Sequence, residues 1–136
     1  MSHRADEGSR LGMGEERDSI EALAQSFALS PEFQCVTGWD GIVRRVNPAF
    51  TAAFGHTSRD LLGRQFAQLC HPEDRPAWQG HVAAAQAAGR SSTRFSCRVR
   101  DLGPGYRNAT WYLAADPVRR LIFAFGRHAG PGAANG

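Results

Sequence analysis

The stretch Phe33-Gln-Cys-Val-Thr-Gly-Trp-Asp-Gly-Ile-Val-Arg-Arg-Val-Asn-Pro-Ala-Phe-Thr-Ala-Ala-Phe54 constrains the fold of this chain more than any other. Asp40-Gly41 reads as the two-residue reversal of a hairpin, because a type I′ turn needs positive φ at both central positions. One strand, Gln34 to Trp39, precedes it and a second, Ile42 to Val46, follows. Asn47-Pro48 then ends the second strand and opens a helix. The Asn side chain can accept the first free backbone N–H groups, and Pro at the first helical position loses no hydrogen bond. Phe50, Ala53 and Phe54 recur at helical spacing and face inward.

A chain of 136 residues holds one domain with a real core. Its 42% hydrophobic and 21% charged residues are ordinary for a globular protein. No apolar run approaches the roughly 20 residues that span a bilayer, and the polar N-terminus lacks a signal-peptide core, so a cytoplasmic protein away from membranes is expected. All 16 basic residues are Arg, which with the abundant Ala and Gly reads as the bias of a GC-rich genome. They are spread over strands and turns and not gathered on one recognition surface, so they solvate the protein and do not mark a nucleic-acid site. Cys35, Cys70 and Cys97 are widely spaced and odd in number, which suits buried thiols better than zinc or disulfides.

In chain order, residues 1–17 are polar and Gly-rich and are expected to be disordered. Residues 18–30 form an amphipathic helix, begun by the capping-box spacing Asp18 to Glu21 and carrying Ile20, Leu23, Ala24 and Phe27 on one stripe. That stripe is either a lid on its own domain or a dimer seam. Gly55 caps the next helix, and Thr57 or Ser58 starts a short turn through Leu61-Leu62. At His71-Pro72-Glu73-Asp74-Arg75 a longer helix is expected, with Pro in its first turn and two acids on the positive end of its dipole. It runs to Ala88 with Gly89 as cap, and its inward stripe is Trp78, His81, Val82 and Ala85. Its Ala- and Gly-rich end either packs closely on a sheet or leaves room for a ligand, close packing being the simpler outcome.

The last third reads as three strands. Thr93 to Arg100 places Phe95, Cys97 and Val99 on one face and its arginines on the other. Tyr106 to Ala115 places Ala109, Trp111 and Leu113 on one face and Thr110 and Tyr112 on the other. Leu121 to Phe125 is apolar on both faces, as in a central strand, and 128–136 reads as a flexible tail. Strands at both ends with helices between give an α+β domain over 31–127, a five-stranded antiparallel sheet covered on one face by helices.

Four phrases resemble the PAS domain family: Asp40-Gly41 before Val46-Asn47-Pro48-Ala49-Phe50, Phe54-Gly55 before Asp60-Leu61-Leu62-Gly63-Arg64, His71-Pro72-Glu73-Asp74-Arg75, and the closing three strands. The resemblance covers Phe33 to Arg127. It implies a sensory or protein-interaction module that holds a small ligand between sheet and helices and signals through dimer or partner contacts. Flavin photosensors of the family carry a reactive Cys in a phrase that here reads Gln65-Phe66-Ala67-Gln68-Leu69-Cys70, which argues against flavin photochemistry. Haem-binding members use a His on the long helix. That position falls at Trp78, with His81 one turn on, so haem is a minor alternative with His81 as its only metal ligand.

Two functions follow. In the first, a non-catalytic intracellular sensor binds a small ligand in a pocket of Phe54, Trp78, His81, Val82, Phe95, Cys97 and Val99, and works with a homodimer partner or a signalling output protein. In the second, a ligand-free interaction domain dimerises through Ile20, Leu23 and Phe27 and through Tyr112 on the outer face of the sheet. Catalysis is disfavoured: Cys70-His71 are sequence neighbours whose side chains diverge, and no phosphate loop or metal-ligand spacing is present.

Overall fold

In chain order the strands are β1 (Phe33–Gly38), β2 (Val43–Val46), β3 (Phe95–Arg100), β4 (Tyr106–Asp116) and β5 (Leu121–His128). They form one antiparallel sheet in the order β2-β1-β5-β4-β3. The helices are α1 (21–29), α2 (Pro48–Phe54), α3 (Ser58–Leu61), α4 (Phe66–Leu69) and α5 (Arg75–Ala88). The structure is a computed structural model and describes residue 17 and residues 21–90 and 93–129. Asp18, Ile20 and nearly all of the two expected tails lie outside the described residues.

The α+β architecture is the one expected, and β5 is the central strand that its two apolar faces announced. Inward residues of β1, β4 and β5 (Phe33, Cys35, Trp111, Leu113, Ile122 and Ala124) are buried beneath α2 to α5. Trp111 lies at the middle of this core, stacked on Phe54 at 6.4 Å and edge-on to Phe66 and Trp78. Gly126 makes room for it, since a Cβ there would lie 2.6 Å from the indole.

Local signals act as read in most places. Asn47 caps α2, Gly55 ends it at φ 77°, Thr57 and Asp60 form a capping box on α3, and Gly89 ends α5 at φ 86°. Three details differ. The β1–β2 connection is not a type I′ turn, because Asp40 does not have positive φ. Instead Gly41 N–H bonds Gly38 C=O at 3.0 Å and Gly41 alone is left-handed at φ 83°. This is a three-residue loop of Trp39, Asp40 and Gly41, in which one glycine supplies all the positive φ required. The longer helix begins at Arg75, so Glu73 and Asp74 precede it and bind Arg98 of β3. Finally, β5 runs on to His128, whose ring meets Phe33 edge-on at 4.9 Å, because β4 is long enough to pair Ala109 with His128.

Candidate functional site

Beside the aromatic core, between β1, β5, α4 and α5, lies a cavity of about 240 Å³. Its walls are Ile122 and Ala124 of β5, Thr37 of β1, Phe66 of α4, and Trp78, Gln79, Val82 and Gln86 of α5. A small residue opens it: Ala124 occupies an inward position of β5 where a larger side chain would fill the space. The expected close packing of α5 holds only at its C-terminal end. There Ala85 is fully buried, and Gly89 C=O accepts the Ala115 N–H of β4 at 2.8 Å.

The β1–β2 loop forms the mouth of this cavity. Gln65 Nε2 donates to Asp40 C=O at 2.7 Å and Gln86 Nε2 donates to Trp39 C=O at 3.1 Å. Two side-chain amides from different elements therefore hold one loop over the opening. Inside, Phe66 and Trp78 stack nearly parallel at 4.1 Å and offer an aromatic wall. An aromatic wall with amide groups at the rim suits a small planar molecule with hydrogen-bonding edges.

Of the seven pocket residues read from the sequence, Trp78 and Val82 line this cavity. Phe54, Cys97 and Val99 are buried in the solid core. His81 and Phe95 are half-buried and stack flat on one another, with centroids 3.8 Å apart and planes at 5°. His81 is thus turned onto an aromatic ring and is absent from the cavity wall, an arrangement that does not fit an axial ligand to haem. Among the described residues no cluster of three His, Cys, Asp or Glu could hold a metal ion. Gln79 and Gln86 were missed in the sequence. Their spacing with Val82 puts all three on one helical stripe, and polar residues inside such a stripe were the available signal.

Cys70 and His71 do not form a nucleophile and base. A hydrogen bond with Cys97, then burial, holds the Cys70 thiol well above the ordinary thiol range, so it stays protonated. His71 Nδ1 accepts the Glu73 N–H at 3.1 Å, and its ring packs on Tyr106. Cys35 is likewise raised by burial.

The opposite face of the sheet is apolar along its middle. Val36 and Ala114 flank Phe123, Tyr112 stands beside Phe125, and all five are half-buried. Arginines border this stripe: Arg94 lies over Tyr112 at 5.8 Å, and Arg45 over Phe27 of α1 at 5.0 Å. Of the expected dimer residues, Phe27 and Tyr112 are half-buried in these contacts, while Leu23 is 70% exposed.

A central five-stranded antiparallel sheet, helices over one face and a small cavity beneath them define a PAS-like module. A sequence profile of the PAS fold matches residues 43–111, just over half of the chain. The chain belongs to the PAS fold family. Among solved structures it is similar to the PAS domain of an HTR-like protein from Haloarcula marismortui, with TM-score 0.72 and 18% identity over 88% of this chain and 99% of that one. It is also similar to a domain of a sensory box sensor histidine kinase/response regulator from Geobacter sulfurreducens, with TM-score 0.70 and 17% identity over 80% and 93%. The photoactive yellow protein domain of a sensor histidine kinase from Rhodospirillum centenum matches at TM-score 0.61 and 19% identity, over 76% and 90%. No curated protein sequence gives a significant match.

Proposed function

We propose that this PAS domain is a non-catalytic sensory module in an intracellular signalling protein, and that it takes a small planar ligand into the cavity beside Trp78. The observation that carries this reading is the latched loop. Ligand arrival or departure would load or release the Gln65 and Gln86 bonds that hold Trp39 and Asp40. A ligand that binds the held loop and the released loop with different affinity would shift the balance between them. The absence of an activated nucleophile at Cys70 and His71 supports a binding role over catalysis. Among the described residues, no helix is long and apolar enough to cross a membrane.

The test is a thermal-shift screen of small planar metabolites and cofactors on the wild type and on Val82→Trp, which fills the cavity. A true occupant present at 100 times its Kd stabilises the native state by about 2.7 kcal/mol. That corresponds to a rise of several degrees in Tm for the wild type and none for the variant. A shift common to both proteins, or no shift from any compound, would remove the ligand from this reading.

A second reading, an interaction domain that needs no ligand, is favoured by α1. Leu23 and Leu29 of that helix are 70% and 80% exposed, and the apolar stripe on the sheet has none of α2 to α5 over it. Exposed apolar surface of this kind is a mark of partner contact. A homodimer through α1 and the sheet predicts a two-subunit mass in sedimentation velocity at micromolar concentration, lost in a Leu23→Glu, Tyr112→Glu variant. A monomer at every concentration would count against it.

A further inference from the structure

Arg120, in the turn between β4 and β5, has φ 57° and is the one non-glycine residue with positive φ among the described residues. Asp116 Oδ1 shapes this turn by accepting the N–H groups of Val118 and Arg119 at 3.0 and 3.1 Å. Left-handed backbone favours Gly or Asn, so an arginine here is a strained choice for a turn alone. Its guanidinium lies over the Trp39 ring, 5.3 Å from the centroid. Arg44 and Arg119 join them, and with Asp40 these residues line an open pocket of about 460 Å³.

The charges of this pocket are unbalanced. Asp40 is the single acid in its lining, and its Oδ1 already accepts the Ile42 N–H at 3.1 Å. Arg44 and Asp40 both fold into the space left by Gly38, where an added Cβ would meet them at 2.7 and 2.6 Å. Asp40 therefore offsets Arg44 in part. The nearest acid to Arg119 is Asp116, at the limit of an ion pair, 4.0 Å. Surplus positive charge, an aromatic floor and a strained residue thus coincide at one end of the sheet.

We propose that this pocket binds the phosphate group of a small ligand, with Arg44, Arg119 and Arg120 as donors and Trp39 as the floor. One guanidinium fork satisfies a carboxylate, whereas a dianionic phosphate offers three terminal oxygens and can engage several forks at once. Trp39 and Asp40 also border the interior cavity, but the site stands whether or not that cavity is filled.

Isothermal titration calorimetry of the full chain with inorganic phosphate and with sodium pyrophosphate tests this. Saturable binding is expected, with affinity lowered about tenfold or more by Arg120→Gly and by Arg44→Gln, the loss of one charge-assisted contact. Arg64→Gln, in a different groove, should leave it unchanged. Arg120→Gly relieves the left-handed strain, so its Tm should hold or rise while binding falls; Arg44 is exposed, so its variant carries the test should the glycine variant fold poorly. Absence of saturable heat, equal weakening by Arg64→Gln, or tighter binding of a short single-stranded oligonucleotide than of pyrophosphate would overturn the proposal.

Discussion

Asn47 is fully buried and uses its whole amide. Its Oδ1 accepts from Gln34 N–H at 2.9 Å and Phe50 N–H at 3.1 Å, and its Nδ2 donates to the carbonyls of Phe27 at 3.1 Å and Glu32 at 2.9 Å. One side chain thus joins the end of α1, the start of β1 and the first turn of α2. Asn47→Ala removes a helix cap and strands buried backbone groups, and should cost about 2–4 kcal/mol in urea denaturation. Asn47→Asp keeps both acceptor bonds but sets a carboxylate against two carbonyls. Hydrogen exchange should then quicken in residues 21–30 before it quickens in β1. Equal protection in the two segments would show that α1 is held by something else. The sequence revealed Asn47 as a cap because capping is a local rule. Its second task, holding Phe27 and Glu32, depends on where α1 lands, and no nearby residue encodes that.

The edge of the sheet at β3 is closed by a clasp. Asp74 Oδ2 accepts from Arg98 N–H at 2.8 Å and from its Nε at 2.9 Å, and His71 N–H donates to Arg98 C=O at 2.8 Å. Edge groups that could pair with another chain are thereby occupied. The side-chain bond from Arg98, followed by its backbone bond and charge, holds the Asp74 carboxyl below the usual carboxylate range despite partial burial. A depressed folded-state pKa contributes stability that is present above the unfolded value, about 3.9, and is lost as pH falls through the folded value. Asp74→Asn should cost about 1–2 kcal/mol at pH 7, a figure discounted because the Arg98 side chain is 38% exposed. Below about pH 4 the gap between variant and wild type should begin to narrow, and it should close once pH has fallen through the folded-state value, in chemical-denaturation titrations. Parallel curves at all pH values would assign the loss to packing. The strands themselves were legible, because alternation along β3 and β4 is written in consecutive residues. The clasp was not, since Glu73 and Asp74 sit where a helix dipole would also want them. The cavity was only half legible: Trp78 and Val82 stand out as large apolar groups, but the space comes from what Ala124 lacks.

Because β5 lies between β1 and β4, neither the N-terminal hairpin nor the C-terminal meander completes its core alone. Trp111 reports on this directly, touching Phe33 of β1, Phe54 of α2 and Trp78 of α5. Thermal unfolding followed by tryptophan fluorescence and by far-UV circular dichroism should therefore coincide in a single transition. Two separated midpoints would mean that the halves melt independently. The same topology has a geometric outcome. The chain enters the sheet at Phe33 and leaves it at His128, and these two rings touch at 4.9 Å. The sheet is threaded as a strap is through a buckle, the start of β1 and the end of β5 lying side by side. Torque applied to one of them would be felt by the other without crossing the interior.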